Sequence, residues 1–258
     1  MVAATSRVAR LFIKKALGAG HDVTALCRAD SEAGALTRME AVLQETVAEV
    51  RPEFSSSVPG VLTASNKDIF SAQTYMELLS AQADIDAICC FVGVTKTSQM
   101  INPFERTYTK TINAILEGIK QSRPVEVLYH SSVGTGGAPA NAKVYWPANY
   151  PNSAAITPIM FPIFRNVTAS ERLFARSDTL HNEYIVFRPG GLRDDAAKGD
   201  YTSLENLSKA SPYIESLKKM STTINREDVA DEILRVSMLS PAERASMYQK
   251  SYYLADNL

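Results

Sequence analysis

Short apolar runs and amphipathic helical repeats take turns along this 258-residue chain, and that alternation leaves few folds open. Asp22-Val23-Thr24-Ala25-Leu26-Cys27-Arg28 is a β-rich run that ends in a charge. Leu36, Met39, Leu43, Val47 and Val50 then recur at helical spacing until Pro52. A polar stretch with Ser55, Ser56 and Ser57, then Pro59-Gly60, precedes the short apolar run Val61-Leu62. Residues 85–92 read as a buried strand, Ile112, Ile115, Leu116 and Ile119 as one face of a helix, and Val125 to Tyr129 as another strand. Strand following helix in this way predicts an α/β fold with a doubly wound parallel sheet, whose ligands lie at the carboxyl ends of the strands.

The second half keeps the rhythm with one longer excursion. Residues 134–163, rich in Gly, Ala, Pro and Asn and holding the only tryptophan, Trp146, are predicted as a loop. Loops of that length usually serve a purpose, here a substrate-side flap. Glu171-Arg172-Leu173-Phe174 belongs to a helix, Tyr184 to Arg188 to a strand, and Pro189-Gly190-Gly191 opens the next loop. Asn225 with Asp228 is expected to form a capping box for a helix through Val229, Ile233 and Leu234. Ser251 to Leu254 is expected as a last, edge-type strand. No internal repeat or heptad seam divides the chain, so residues 1–258 are expected to form one domain.

At 45% hydrophobic and 21% charged, with a formal net charge of -1, the chain offers no bulk attraction to nucleic acid or to a membrane surface. No stretch approaches the ~20 apolar residues needed to span a bilayer. Cys27, Cys89 and Cys90 cannot make a disulfide framework, and the last two are adjacent in an apolar run. A reducing compartment, the cytoplasm, follows as the expectation. Arg7, Arg10, Lys14 and Lys15 precede the first acidic residue, Asp22, which also fits a transit sequence and keeps the mitochondrial matrix as the alternative. The same residues read equally as a first helix, with Val8, Leu11, Phe12 and Ala16 on one face and Gly18-Ala19-Gly20 as its stop. His21, His130 and His181 lack metal-ligand spacing, so no metal site is expected.

Five stretches together resemble the atypical short-chain dehydrogenase/reductase family, the branch with NmrA-like regulators and flavin or biliverdin reductases. They are Ala3-Ala4-Thr5-Ser6-Arg7-Val8-Ala9, Asp86 to Thr95, Val127 to Gly137, Tyr184 to Leu192, and Ile224-Asn225-Arg226-Glu227-Asp228-Val229-Ala230. In that family the first stretch is a glycine-rich turn, where glycines permit the tight bend, close approach to pyrophosphate and helix-to-sheet packing. Here Ala3, Ser6 and Ala9 stand in those places. Restoring glycine at all three is expected to tighten dinucleotide binding. Only Met1 and Val2 remain for the strand ahead of the turn, so the chain is expected to begin inside its own central strand, which five or six apolar residues ahead of Met1 would restore.

The resemblance implies a Rossmann-type site for NADP, with NAD as the alternative, and a small-molecule substrate. It places Thr5, Ser6, Arg7 and Val8 against the pyrophosphate and Arg28 against the adenosine 2′-phosphate. Phe91, Val92 and Gly93 would lie along the ribose and adenine, Pro189, Gly190 and Gly191 at the nicotinamide, and Ser131 beside the cofactor. Ser65 takes the place of an aspartate that the family often uses near adenine.

Many relatives protonate the substrate through a Tyr-x-x-x-Lys pair, and no tyrosine here is followed four residues later by lysine. On the matching helix those positions are Ile163 and Val167. Ser132 matches the family's active-site serine, and a hydroxyl alone is a poor proton source. Tyr145 is the expected second catalytic residue, with Tyr150, His130 and Lys143 as substitutes; His130 also fits a structural role. Three functions stay open: a reductase working without the Tyr-Lys pair, a noncatalytic NAD(P)-sensing or protein-interaction protein like the NmrA-type regulators, and a degenerate relative that binds no dinucleotide.

Overall fold

The computed structural model describes residues 1–46, 52–93, 97–100, 102, 106–132, 153–176, 183–195, 197–205 and 223–257. The chain enters at Met1 and turns at once into α1 (Arg7–Gly18), whose Ser6 hydroxyl caps the Ala9 N–H at 3.3 Å. Val8, Ala9, Phe12, Ile13 and Ala16 bury one face of that helix, and Gly20 at φ 85° makes the left-handed bend after it, a conformation glycine adopts without steric cost. Next come β1 (Val23–Leu26), α2 (Glu32–Gln44), β2 (Leu62–Ser65), α3 (Ala72–Ala81), β3 (Ala87–Cys90), α4 (Thr97–Met100), α5 (Thr107–Lys120) and β4 (Glu126–His130). The second half supplies α6 (Ser153–Arg176), β5 (Tyr184–Pro189), β6 (Gly191–Arg193), β7 (Tyr201–Glu205), β8 (Thr223–Asn225), α7 (Arg226–Ser237), α8 (Pro241–Ala245) and β9 (Lys250–Asp256).

Five strands pair in the order β3-β4-β5-β9-β7, parallel except for β7, which runs antiparallel to β9. β1 and β2 pair in parallel, and β6 and β8 form a separate parallel pair. Met1 and Val2 bridge the first two groups. Leu26 N–H donates to Met1 O at 2.9 Å on one side, and Val2 N–H donates to Cys89 O at 2.9 Å on the other. Two residues thus hold the place of a central strand, as their position ahead of the turn predicts.

Strand alternation sorts the interior into two layers. Cys89, Leu128, Ile185 and Phe187 pack with Phe12 and Ile13 of α1 and Val229 and Ile233 of α7. Ile88, Val127, Tyr129 and Val186 pack with Tyr75 of α3, Ile112 and Ile115 of α5 and Phe174 of α6. Helices on both faces of a mostly parallel sheet are the doubly wound α/β architecture the alternation predicts.

Four local expectations change. β9 is an interior strand, because β7 pairs along its outer side, so Ser251 to Leu254 is no edge. The loop expected over 134–163 ends sooner, since α6 begins at Ser153; its residues 134–152 lie outside the described residues. Pro189-Gly190-Gly191 carries chain from β5 straight into β6, with Gly190 N–H donating to Leu254 O at 2.9 Å. Asn225 caps α7 through Glu227 N–H at 2.8 Å, while Asp228 turns away to accept from Lys198 and Gly199 N–H, so there is a cap without a box.

Candidate dinucleotide site

Parallel pairing brings the carboxyl ends of Met1-Val2, β1, β2, β3, β4 and β5 to one edge of the sheet. The crevice there opens where strand order reverses, between β1 and β3, with the turn Ala3 to Ser6 at its floor. Ser6 N–H donates to Ala3 O at 3.0 Å, closing the turn, and Ala3 takes φ 57°, the left-handed backbone for which the family uses glycine. With the Ser6 hydroxyl on Ala9, the Arg7 and Val8 N–H groups are the helix-start donors left for a ligand. No acidic side chain stands in the first turn of α1, whereas α2 and α7 carry Glu32, and Glu227 with Asp228, in theirs. The positive end of the α1 dipole is therefore open to an anion.

Side chains around the turn divide into those free to meet a ligand and those already engaged. Val8 is buried, so only its backbone faces the crevice. Arg7 Nη1 pairs with Asp194 Oδ2 at 2.5 Å, and Arg226 holds the other oxygen of Asp194 at 2.6 Å, which ties the starts of α1 and α7 together. Arg28 is exposed at the end of β1, and Arg38 of α2 donates to its carbonyl at 2.7 Å. The Arg38 guanidinium therefore lies on the Arg28 backbone just past the end of β1. Arg38 escapes sequence reasoning, since only the turn of α2 brings it back over ten residues. Ser65 is buried, with its hydroxyl accepting from Lys67 N–H at 3.3 Å.

Past β3, Phe91 is a core residue, with ring centroids 5.4 Å from Phe12 and 5.7 Å from His130. Val92 is buried in the opposite layer, and Gly93 is exposed, with the Tyr108 hydroxyl 3.9 Å from where a Cβ on it would lie. Phe91 and Val92 thus offer the crevice backbone and not side chain. Val94 and Thr95 lie outside the described residues.

At the end of β4 a buried network locks the serines. The Ser131 hydroxyl donates to Glu171 Oε1, and Arg188 of β5 grips Glu171 with two hydrogen bonds of 3.1 and 2.7 Å. All three residues are buried. Ser131 N–H also donates to Phe187 O at 2.7 Å, so the backbone leading to half-buried Ser132 is fixed from both sides. His130 lies against Phe91 with its Nε2 closed off from solvent; burial, with the nearby Arg226 charge, pushes the imidazole down to about 4, although a bond with its own backbone pulls the other way. It is neutral at physiological pH and no proton donor. Ile163 and Val167 of α6 are packed into the interior, and the Tyr129 hydroxyl shares a 2.9 Å hydrogen bond with Ser170 one turn on. Tyr145, Tyr150, Lys143 and His181 lie outside the described residues. Among the described residues no cluster of His, Cys, Asp and Glu suits a metal.

A family model for NAD(P)H binding matches residues 3–238 of the chain. The chain belongs to this NAD(P)H-binding family. Among curated proteins none matches. Solved structures of low sequence identity show the same fold. A candidate NADH-flavin reductase from Streptococcus pneumoniae superposes with a TM-score of 0.62 at 13% identity, covering 99% of this chain and 97% of that one. ChuY, an anaerobillin reductase from Escherichia coli, gives 0.62 at 19%, covering 99% and 95%. The oxidoreductase ylbE from Lactococcus lactis gives 0.60 at 14%, covering 99% and 89%. A nicotinamide dinucleotide is the family's cofactor class, and the acid-free start of α1 with the φ 57° turn beneath it fits one.

Proposed function

We propose that this chain, as one NAD(P)-binding unit over residues 1–258, is an NADP-dependent reductase acting on a small conjugated or flavin-like acceptor. The observation that carries the proposal is the acid-free start of α1 with exposed Arg28 just past the end of β1 and the Arg38 guanidinium held on the Arg28 carbonyl. The Arg7 and Val8 N–H groups would hold the pyrophosphate above the turn at Thr5 and Ser6, and Arg28 with Arg38 the 2′-phosphate. Gly93 leaves room at the ribose, and Pro189, Gly190 and Gly191 border the nicotinamide. The bound dinucleotide supplies hydride. Ser132 orients the acceptor's carbonyl, Tyr145 delivers the proton, and the Ser131, Glu171 and Arg188 network keeps the Ser132 backbone in place. The three free, buried thiols suit a reducing compartment, and we place the protein in the cytoplasm.

Isothermal titration tests the cofactor. NADPH should bind more tightly than NADH, and Arg28→Ala should erase most of that preference, since a charge-assisted contact contributes about 1.5–3 kcal/mol. No heat with either nucleotide overturns the reductase and leaves a relative that binds no dinucleotide. On a verified acceptor, Ser132→Ala should lower kcat several-fold with NADPH affinity unchanged, the mark of a contact made in the transition state. Unchanged turnover would remove Ser132 from the site. The second reading, a noncatalytic NAD(P)-sensing protein, is favoured by Ile163 and Val167, which fill with packing the places where a Tyr-Lys pair would act. It predicts NADPH heat with no hydride consumption on any acceptor.

A further inference from the structure

On the NAD(P) reading above, a dinucleotide laid across the strand ends meets them in sheet order. The adenosine falls at β1 beside Arg28, the pyrophosphate at the turn beyond Met1-Val2, and the nicotinamide at β5 beside Pro189 and Gly190. Between the last two stand the ends of β3 and β4. The ribose that carries the nicotinamide therefore passes exposed Gly93, just past β3. Outside its chain neighbours and among the described residues, the atom nearest to where a Cβ on Gly93 would lie is the Tyr108 hydroxyl, 3.9 Å away. We propose that this hydroxyl is the protein's contact for the ribose on the nicotinamide side, which deepens the NADP reading and rests on it.

The sequence explains how a tyrosine reaches that place. Tyr108 lies in the first turn of α5 and opens its buried stripe, followed by Thr111, Ile112, Ile115 and Ile119. The residue is 8% exposed and belongs to the buried layer that holds Val92 after β3, Tyr129 of β4 and Ile163 of α6. Burial pushes the Tyr129 phenol well up, with Cys90, Glu171 and Tyr108 adding to it and the bond with Ser170 opposing, which sets Tyr108 near β4 as well as β3. A ring held within that layer has little rotamer freedom left to lose when its hydroxyl meets a ligand.

The chemistry suits a ribose. A phenol both donates and accepts, and the adjacent hydroxyls of a ribose do the same. α6 brings only Ile163 and Val167 to this part of the crevice, both buried and neither able to hydrogen-bond. The acceptor's carbonyl is assigned to Ser132, past the end of β4, so a hydroxyl on the β3 side holds the cofactor and leaves the proton to Tyr145.

Isothermal titration of the full chain with NADPH and with adenosine 2′,5′-bisphosphate, which has no nicotinamide-side ribose, tests this. Tyr108→Phe keeps the ring and removes the hydroxyl. It should raise the Kd of NADPH about three- to tenfold, as loss of one hydrogen bond does, and leave that of the bisphosphate unchanged. Gly93 does not take left-handed backbone, so Gly93→Ala is accommodated, and its methyl stands in the gap that faces the hydroxyl. That variant should give the same split with the phenol still present, and it decides the matter alone if Tyr108→Phe does not fold. Equal weakening of both ligands, or weakening of neither, overturns the ribose contact while NADP binding stands. No heat with either ligand from the unaltered chain overturns the NADP reading and the ribose contact with it.

Discussion

Ala3 holds its left-handed turn against the preference of an L-residue, a strain of about 1–2 kcal/mol. Ala3→Gly removes that strain but adds unfolded-state freedom worth about 0.5–1 kcal/mol, so a net gain of about 0.5–1 kcal/mol is expected. A urea-unfolding midpoint that fails to rise would show the strain to be relaxed elsewhere. The other two glycine places behave differently. Ser6 caps α1 through its hydroxyl, and Ala9 is wholly buried within the helix, where glycine costs about 1 kcal/mol. Restoring all three glycines would therefore spend the gain made at Ala3. The place of the turn was legible from the spacing of Ala3, Ser6 and Ala9. Its division of labour was not, because φ at Ala3 and the reach of the Ser6 hydroxyl are set by the strand that Met1 and Val2 make between β1 and β3.

Glu171 on α6 and Arg188 on β5 join two elements through charges that are both buried. Removing one partner strands the other, so Glu171→Ala should cost about 3–5 kcal/mol of stability by guanidinium unfolding. Glu171→Met with Arg188→Met should recover most of it; a double variant as unstable as the single one would show that the Ser131 contact, and not the ion pair, holds α6 to the sheet. Elements were legible wherever apolar periodicity was strong, as in α1, α5, β3 and β5. α6 was cut short because the Gly-, Ala-, Pro- and Asn-rich stretch 134–163 reads as one loop, yet the helix runs through Pro158 and Pro162. β7 was invisible because Tyr201 to Glu205 is half-buried throughout and polar in part, and without it β9 looked like an edge. α3 offers no capping side-chain bond at Ser71 and only a sparse buried face, Thr74, Tyr75 and Leu79.

Across the whole molecule, two groups on β4 make stability respond to pH in opposite directions. Burial holds His130 down to about 4 from 6.5, so the folded chain binds fewer protons than the unfolded one in that window and loses this stability as pH falls. Burial also pushes Glu126 up to about 7 from 4.5, aided by Glu183 and Asp86 and opposed by Arg244, whose guanidinium lies 3.4 Å away. The folded chain then binds more protons from 4.5 to 7, and this stability is lost as pH rises. Unfolding of Glu126→Gln should become steadily harder from about pH 4.5 to 6.5, while His130→Gln should become easier to unfold towards pH 7. Parallel pH profiles for the two variants would refute the assignment. The same β4 carries Tyr129 and Leu128 into different layers, and β3 beside it does so with chemistry attached. Cys89 faces the α1 and α7 layer, Cys90 the α3, α5 and α6 layer, and burial raises both thiols to about 12. Neither can react while its own layer is closed. Two consecutive residues are thus a matched pair of built-in reporters: an alkylating reagent that marks one and spares the other tells which side of the sheet breathes first.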